Sequence, residues 1–229
     1  MKQKTIQKAA TVKGIGLHTG EMVTMTFKPA KANQGCRFVR VDLESSPEIP
    51  ADVLNVTSTN RGTTIKKGDA EVNTVEHAMA ALSGLCIDNV IVEIDGPEVP
   101  ILDGSSKDFV RVLQEAGLEE LEVDREYLVI KEPISYYDEK SGTELIALPA
   151  NDKFEVTTLI DFNSQTIGKQ YAWLEGLDGF VEHIAPARTF VFVRELEQLL
   201  EEGLIKGGDL SNAIVIADRI MNQNDLDEL

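Results

Sequence analysis

Residues 73–94 read NTVEHAMAALSGLCIDNVIVEI, and this stretch decides the fold. Ala78, Ala80 and Ala81 have high helix propensity and predict a helix over Thr74–Leu82. Asn73 can cap it, with Glu76 three residues on at capping-box spacing, and Gly84 is placed to end it. Asn89–Ile94 then reads as a buried strand. Toward the N-terminus, Met22–Lys28 alternates Val23, Met25 and Phe27 against Thr24 and Thr26, and Arg37–Val41 is a second strand candidate. Gly14–Gly20 (GIGLHTG) is too rich in glycine for a regular element and reads as a bulge or loop. Toward the C-terminus, Asp103-Gly104 makes a turn, and Ser105 or Ser106 caps a helix that runs through Glu115 and is closed by Gly117. Residues 119–126 are mostly charged, and a domain boundary is placed there, giving domains at 1–122 and 123–229. Beyond it, strands are expected at Tyr127–Lys131, Thr143–Leu148 and Phe154–Ile160, a helix at Val193–Glu202 and a buried strand at Ala213–Ala217. Strands and helices are grouped, which predicts an α+β fold with helices on one sheet face in each half.

The composition narrows the function. The 229 residues carry 22 Lys+Arg against 39 Asp+Glu, a net charge of -17, so a phosphate backbone or an anionic membrane surface is repelled. No nucleic-acid partner is expected. No stretch reaches the roughly 18 apolar residues of a membrane span, the N-terminus lacks a signal-peptide core, and a cytoplasmic location is expected. Cys36 and Cys86 form no Cys-x-x-Cys pair and read as small reduced hydrophobes.

Three segments can carry chemistry. Glu76 and His77 are neighbours on the predicted helix and can border one cleft, with His77 on a metal and Glu76 taking a proton from the water it activates. Equally, Glu76 completes the capping box and His77 is a half-exposed helical residue. Asp103-Gly104-Ser105-Ser106 reads as a turn plus cap, or as a loop with a serine nucleophile, although it lacks the Gly-x-Ser-x-Gly pattern. Ala187–Phe192 (ARTFVF) reads as a strand entering the core, or as a substrate-contacting segment in which Thr189 polarises a carbonyl and the phenylalanines line an apolar pocket.

Taken in order, Gly14–Gly20, Thr74–Leu82, Asp88-Asn89-Val90 with Pro97–Ser105, and Ala187–Phe190 strongly resemble the UDP-3-O-acyl-N-acetylglucosamine deacetylases, zinc enzymes of lipid A synthesis. The resemblance runs from residue 5 to about residue 220. It implies two similar two-layer sheet/helix domains facing each other across the active site, the second incomplete in this chain. It implies hydrolysis of an acetamide on a UDP-linked acylated glucosamine. Carried over by motif, Glu76 is the general base, His77 a zinc ligand and Thr189 the hydroxyl that stabilises the oxyanion. Phe190 and Phe192 match aromatic positions near the sugar nucleotide, and His18 matches the loop histidine bordering the cleft. Lys140 and Arg188 are candidate cations for the diphosphate, Arg188 equally a structural residue.

The family takes its other two zinc ligands, a His and an Asp four apart, from a later helix, and these do not occur in this sequence. The expectation is therefore an N-terminal portion of a longer deacetylase, inactive by itself, with apolar surface exposed in its second half. Some family members are fused to a 3-hydroxyacyl-carrier-protein dehydratase, and such a fusion would bring oligomerisation. The alternatives are a catalytically dead module that binds the sugar nucleotide or acyl chain, and an acidic scaffold domain.

Overall fold

A computed structural model describes residues 1–150 and 153–218. In chain order, strands β1 (Lys2–Ile6), β2 (Ala10–Ile15), β3 (Met22–Pro29), β4 (Cys36–Arg40), β5 (Glu48–Pro50), β6 (Val56–Ser58), β7 (Thr64–Lys67) and β8 (Ala70–Val72) lead to helix α1 (Glu76–Gly84). Strand β9 (Val90–Ile94), helix α2 (Lys107–Ala116) and strand β10 (Leu118–Asp124) follow. The remainder holds β11 (Ile134–Asp138), β12 (Thr143–Ala147), β13 (Glu155–Asp161), β14 (Lys169–Glu175), a π-helical turn at Phe180–Ile184, β15 (Phe190–Phe192), α3 (Val193–Glu201) and β16 (Ile214–Ile216). The fold is α+β.

The period-2 pattern of β3 positions the main sheet. Val23, Met25 and Phe27 are buried at 0–1% exposure and face α1 and α2. The sheet order is β2-β3-β9-β4-β5, with β4 and β9 parallel and the other pairs antiparallel. Helix α2 turns Phe109, Val110, Leu113 and Ala116 inward, and the Phe109 ring meets Phe27 edge-on at 6.3 Å. Gly117 ends α2 at a φ of 75°, as expected from the sequence. Both cysteines are free, and burial pushes the Cys36 thiol up to about 12, which keeps it inert as a nucleophile.

The first helix departs from its expected start: it begins at Glu76, not Thr74, and has no capping box. The Asn73 side chain is used at long range, accepting from Thr64 Oγ1 (2.7 Å) and donating to the Pro97 carbonyl (3.1 Å). Gly84 is the last residue of this helix, as expected, and the Phe180 ring occupies the space where a Cβ would project. The charged segment near residue 120 is a strand, paired with β1 by opposite charges: Lys4 faces Glu120, and Lys2 reaches Asp124 at 3.1 Å.

Tyr127–Lys131 forms no strand, and Leu128 is 94% exposed. Pairing goes instead to β11 after Pro133, because Asp138 takes the Lys140 and Ser141 amides and Gly142 (φ 71°) closes a hairpin to β12. A second hairpin joins β13 to β14, and Leu145, Leu159, Tyr171 and Trp173 stand exposed on the two hairpins. The expected strand near residue 215 pairs parallel to β15 across α3, although Ile214 is 44% exposed and not buried. Among the described residues no helix is long and apolar enough to cross a membrane.

Phe109→Ala should cost about 3–5 kcal/mol by urea unfolding, and a loss under about 1 kcal/mol would remove Phe109 from the core. Arg40 grips Asp42 at 2.9 and 2.7 Å and bonds the Glu71 carbonyl, and that grip holds the Asp42 carboxyl below its ordinary value against the opposing effect of burial. Its stabilisation is therefore present above the unfolded aspartate pKa of about 3.9 and is lost as pH falls through the lower folded value. Asp42→Asn should flatten that part of the acid limb in a pH titration of unfolding midpoints.

Candidate active site

Helix α1 opens with Glu76 and His77. The Glu76 carboxylate accepts the Thr63 amide at 3.0 Å, which fixes it against the β6–β7 connection. Its place in the first helical turn also suits a negative charge. Burial pushes the His77 imidazole below the ordinary histidine value, while the Glu76 and Asp103 carboxylates pull the other way. His77 is thus favoured in its neutral form, with a ring lone pair available.

That loop is built on a turn. Burial acts to raise the Asp103 carboxyl, but contacts from Lys107 and Ser105 outweigh it and hold the group low. Ser105 is fully buried. Its hydroxyl donates to Asp103 Oδ1 (2.6 Å) and accepts the Lys107 amide (3.1 Å). Ser105 is therefore the turn-and-cap residue, with its hydroxyl engaged. Gly104 stands at φ 83°, where a Cβ would run into the Asn212 carbonyl oxygen.

The second half docks on this loop through its backbone. The Thr189 amide donates to the Gly104 carbonyl at 2.7 Å and the Ser106 amide to the Ala185 carbonyl at 3.0 Å. Arg188 donates to the carbonyls of Asp103 (2.6 Å) and Ser211 (2.6 Å), so it is a structural brace. These bonds bring Thr189 onto the Asp103 loop. Lys140 lies in the exposed turn of the β11–β12 hairpin.

An apolar cleft of about 140 Å³ opens beside Thr189, lined by Phe190, Leu196, Leu199 and Ile205, with the polar residues His18, Arg61 and Asp209 also in its lining. Phe190, Phe192 and Phe162 form an aromatic cluster with centroids 5.3–6.2 Å apart. Phe190 lines the cleft. Phe192, 5% exposed, lies in the cluster behind it under the Arg194 guanidinium, away from the cleft wall. His18 Nε2 lies 3.2 Å from the Arg61 carbonyl, and the Arg61 guanidinium reaches Glu195 of α3 at 3.1 Å, joining the two sides of the cleft.

Among the described residues no group of three or more His, Cys, Asp or Glu comes together to hold a metal ion. A catalytic zinc takes three protein ligands and an open position. The described residues do not fit a zinc site by themselves. Arg61 and Glu98 also belong to this region, and the sequence patterns single out neither. The one local sign was Glu98, an acid set between apolar residues and prolines in PEVPI.

The chain matches the family model described as LpxC, UDP-3-O-acyl N-acetylglycosamine deacetylase, over residues 3–228. It is 46% identical over 229 residues to the bifunctional enzyme LpxC/FabZ of Bacteroides thetaiotaomicron, covering 100% of this chain and 50% of that protein. It is 49% identical over 228 residues to the protein of that name from Porphyromonas gingivalis, covering 100% of this chain and 49% of the relative. Identity to the UDP-3-O-acyl-N-acetylglucosamine deacetylase of Methylococcus capsulatus is 41% over 234 residues, covering 99% of this chain and 75% of the relative. The chain thus spans about half the length of the bifunctional relatives that it matches.

The docking of Thr189 depends on the backbone at Gly104. Gly104→Ala should cost about 1–3 kcal/mol in urea unfolding, from the positive φ and the approach of the Asn212 carbonyl. An unchanged midpoint would contradict this docking.

Proposed function

The chain belongs to the UDP-3-O-acyl N-acetylglycosamine deacetylase family, and on that premise we propose that its protein hydrolyses the N-acetyl group of UDP-3-O-acyl-N-acetylglucosamine in lipid A synthesis. The observation that carries the reading is the backbone bond from Thr189 to Gly104, which sets a hydroxyl-bearing residue on the Asp103 loop beside the apolar cleft. Hydrolysis adds the oxygen of water to the acetyl carbon and breaks its bond to the sugar nitrogen. Acetate leaves, and the nitrogen takes up a proton. Glu76 acts as the base that accepts a proton from the attacking water. Its anchoring to the Thr63 amide leaves one oxygen free for that task. The Thr189 hydroxyl donates to the carbonyl oxygen as negative charge develops there.

The apolar cleft suits the acyl chain of the substrate, since Phe190, Leu196, Leu199 and Ile205 offer it no polar partner. His18 and Arg61 in the same lining suit the polar, anionic part of the molecule. Substrate binding is assigned to His18 and Phe190, with Phe192 supporting the Phe190 ring.

The test is E76Q in the complete gene product, assayed by acetate release from UDP-3-O-acyl-N-acetylglucosamine. Loss of the base should lower kcat about 10²–10⁴-fold with little change in KM. Undiminished turnover would overturn the assignment.

A further inference from the structure

The Glu98 carboxylate is fully buried (0% exposed), and a buried charge persists only where donors surround it. Its Oε1 accepts the His18 amide at 3.0 Å and the Thr74 hydroxyl at 2.8 Å. Its Oε2 accepts the Thr19 amide at 2.8 Å and the Thr19 hydroxyl at 2.9 Å, and shares the His18 amide at 3.1 Å. All these donors come from two segments. One is the glycine-rich loop that carries His18, and the other is the entry to α1, two residues before Glu76.

The backbone on both sides is shaped around this carboxylate. A Cβ on Gly16 would lie 2.6 Å from Glu98 Oε2, so only glycine lets the loop approach so closely. Thr74 takes a φ of 58°, a left-handed conformation that a β-branched residue adopts only when held there. The hydroxyl bond to Glu98 supplies that hold. The main chain adds a short bridge, with the Asn73 amide on the Pro97 carbonyl (2.9 Å) and the Val99 amide on the Asn73 carbonyl (3.0 Å). An apolar residue at position 98 would satisfy none of these donors, so packing alone does not account for an acid there.

We propose that Glu98 is the positioning residue of this site: one carboxylate sets the His18 loop and the start of the Glu76-His77 helix in fixed register for deacetylation. The proposal rests on the deacetylase reading. Glu98 acts through the groups it holds and does not touch the reacting atoms. Its loss acts on turnover through the start of the Glu76 helix, and on affinity only to the smaller extent that the His18 loop shifts.

The test uses the complete gene product with UDP-3-O-acyl-N-acetylglucosamine and scores kcat per folded molecule beside a thermal melt. E98Q turns an amide NH2 toward groups that are themselves donors, and should lower kcat at least about tenfold with KM changed less than about threefold. T74V, which keeps the shape and loses the hydroxyl, should lower kcat similarly, and T74S should retain it. The double variant E98Q/T74V should be no slower than the slower single variant, because both break one clamp. Folded E98Q with unchanged kcat, a loss confined to KM, equal losses in T74S and T74V, or multiplying losses in the double variant would each overturn the proposal. Should E98Q fail to fold, the T74V and T74S pair decides alone. Wild-type protein that releases no acetate overturns the deacetylase reading and the proposal with it, whereas active E98Q beside active wild type overturns the proposal only.

Discussion

The arrangement of the first half turns on one buried anion. Glu98 stands where the glycine-rich loop, the edge of the β7–β8 ribbon and the entry to α1 meet. Burying a carboxylate is costly, and the cost is offset only if every donor arrives together. That condition makes the junction cooperative. Gly16 must lack a side chain, Thr74 must keep its left-handed backbone, and the His18 and Thr19 amides must point inward. The apolar core, from Phe27 to Phe109 and Leu82, holds the sheet and helices, and the polar junction holds the His18 loop and the entry to α1.

A second junction does for Thr189 what Glu98 does for the helix. Arg188 spreads its guanidinium across carbonyls of Asp103 and Ser211, and Gly104 lets the Asn212 backbone come close. The bonds are largely to main-chain atoms, so they place Thr189 without occupying its side chain. Both junctions pair a glycine with a charged, bonded side chain. Close backbone approach and charge-assisted bonding together give stiffness that loops otherwise lack.

Much of the fold was legible in the sequence, where patterns are local. The alternation of β3 and the Gly117 stop of α2 are decided by neighbours two to four residues away, and both agree with the structure. Long-range demands were not legible. Asn73 looks like a helix cap, but its side chain is taken by Thr64 and Pro97. Tyr127–Lys131 has strand-forming residues, yet Pro133 and the Asp138 turn award the pairing to β11. β-Propensity describes a fit to a pleated surface and says nothing about whether a partner strand is there. At the candidate site, Glu76, His77 and Thr189 stood out by motif. Glu98 and Arg61 did not, because their partners lie 80 and 134 residues away in the chain. The aromatic pair was separated only by the structure, with Phe190 on the cleft and Phe192 behind it.

The most direct test of the buried clamp is amide hydrogen exchange at His18 and Thr19, read by NMR against the amides of the central β3 strand. If Glu98 holds the loop, both amides exchange as slowly as those of β3, through global rather than local opening. Exchange of the His18 and Thr19 amides at the rate of an exposed loop, while β3 stays protected, would contradict the account.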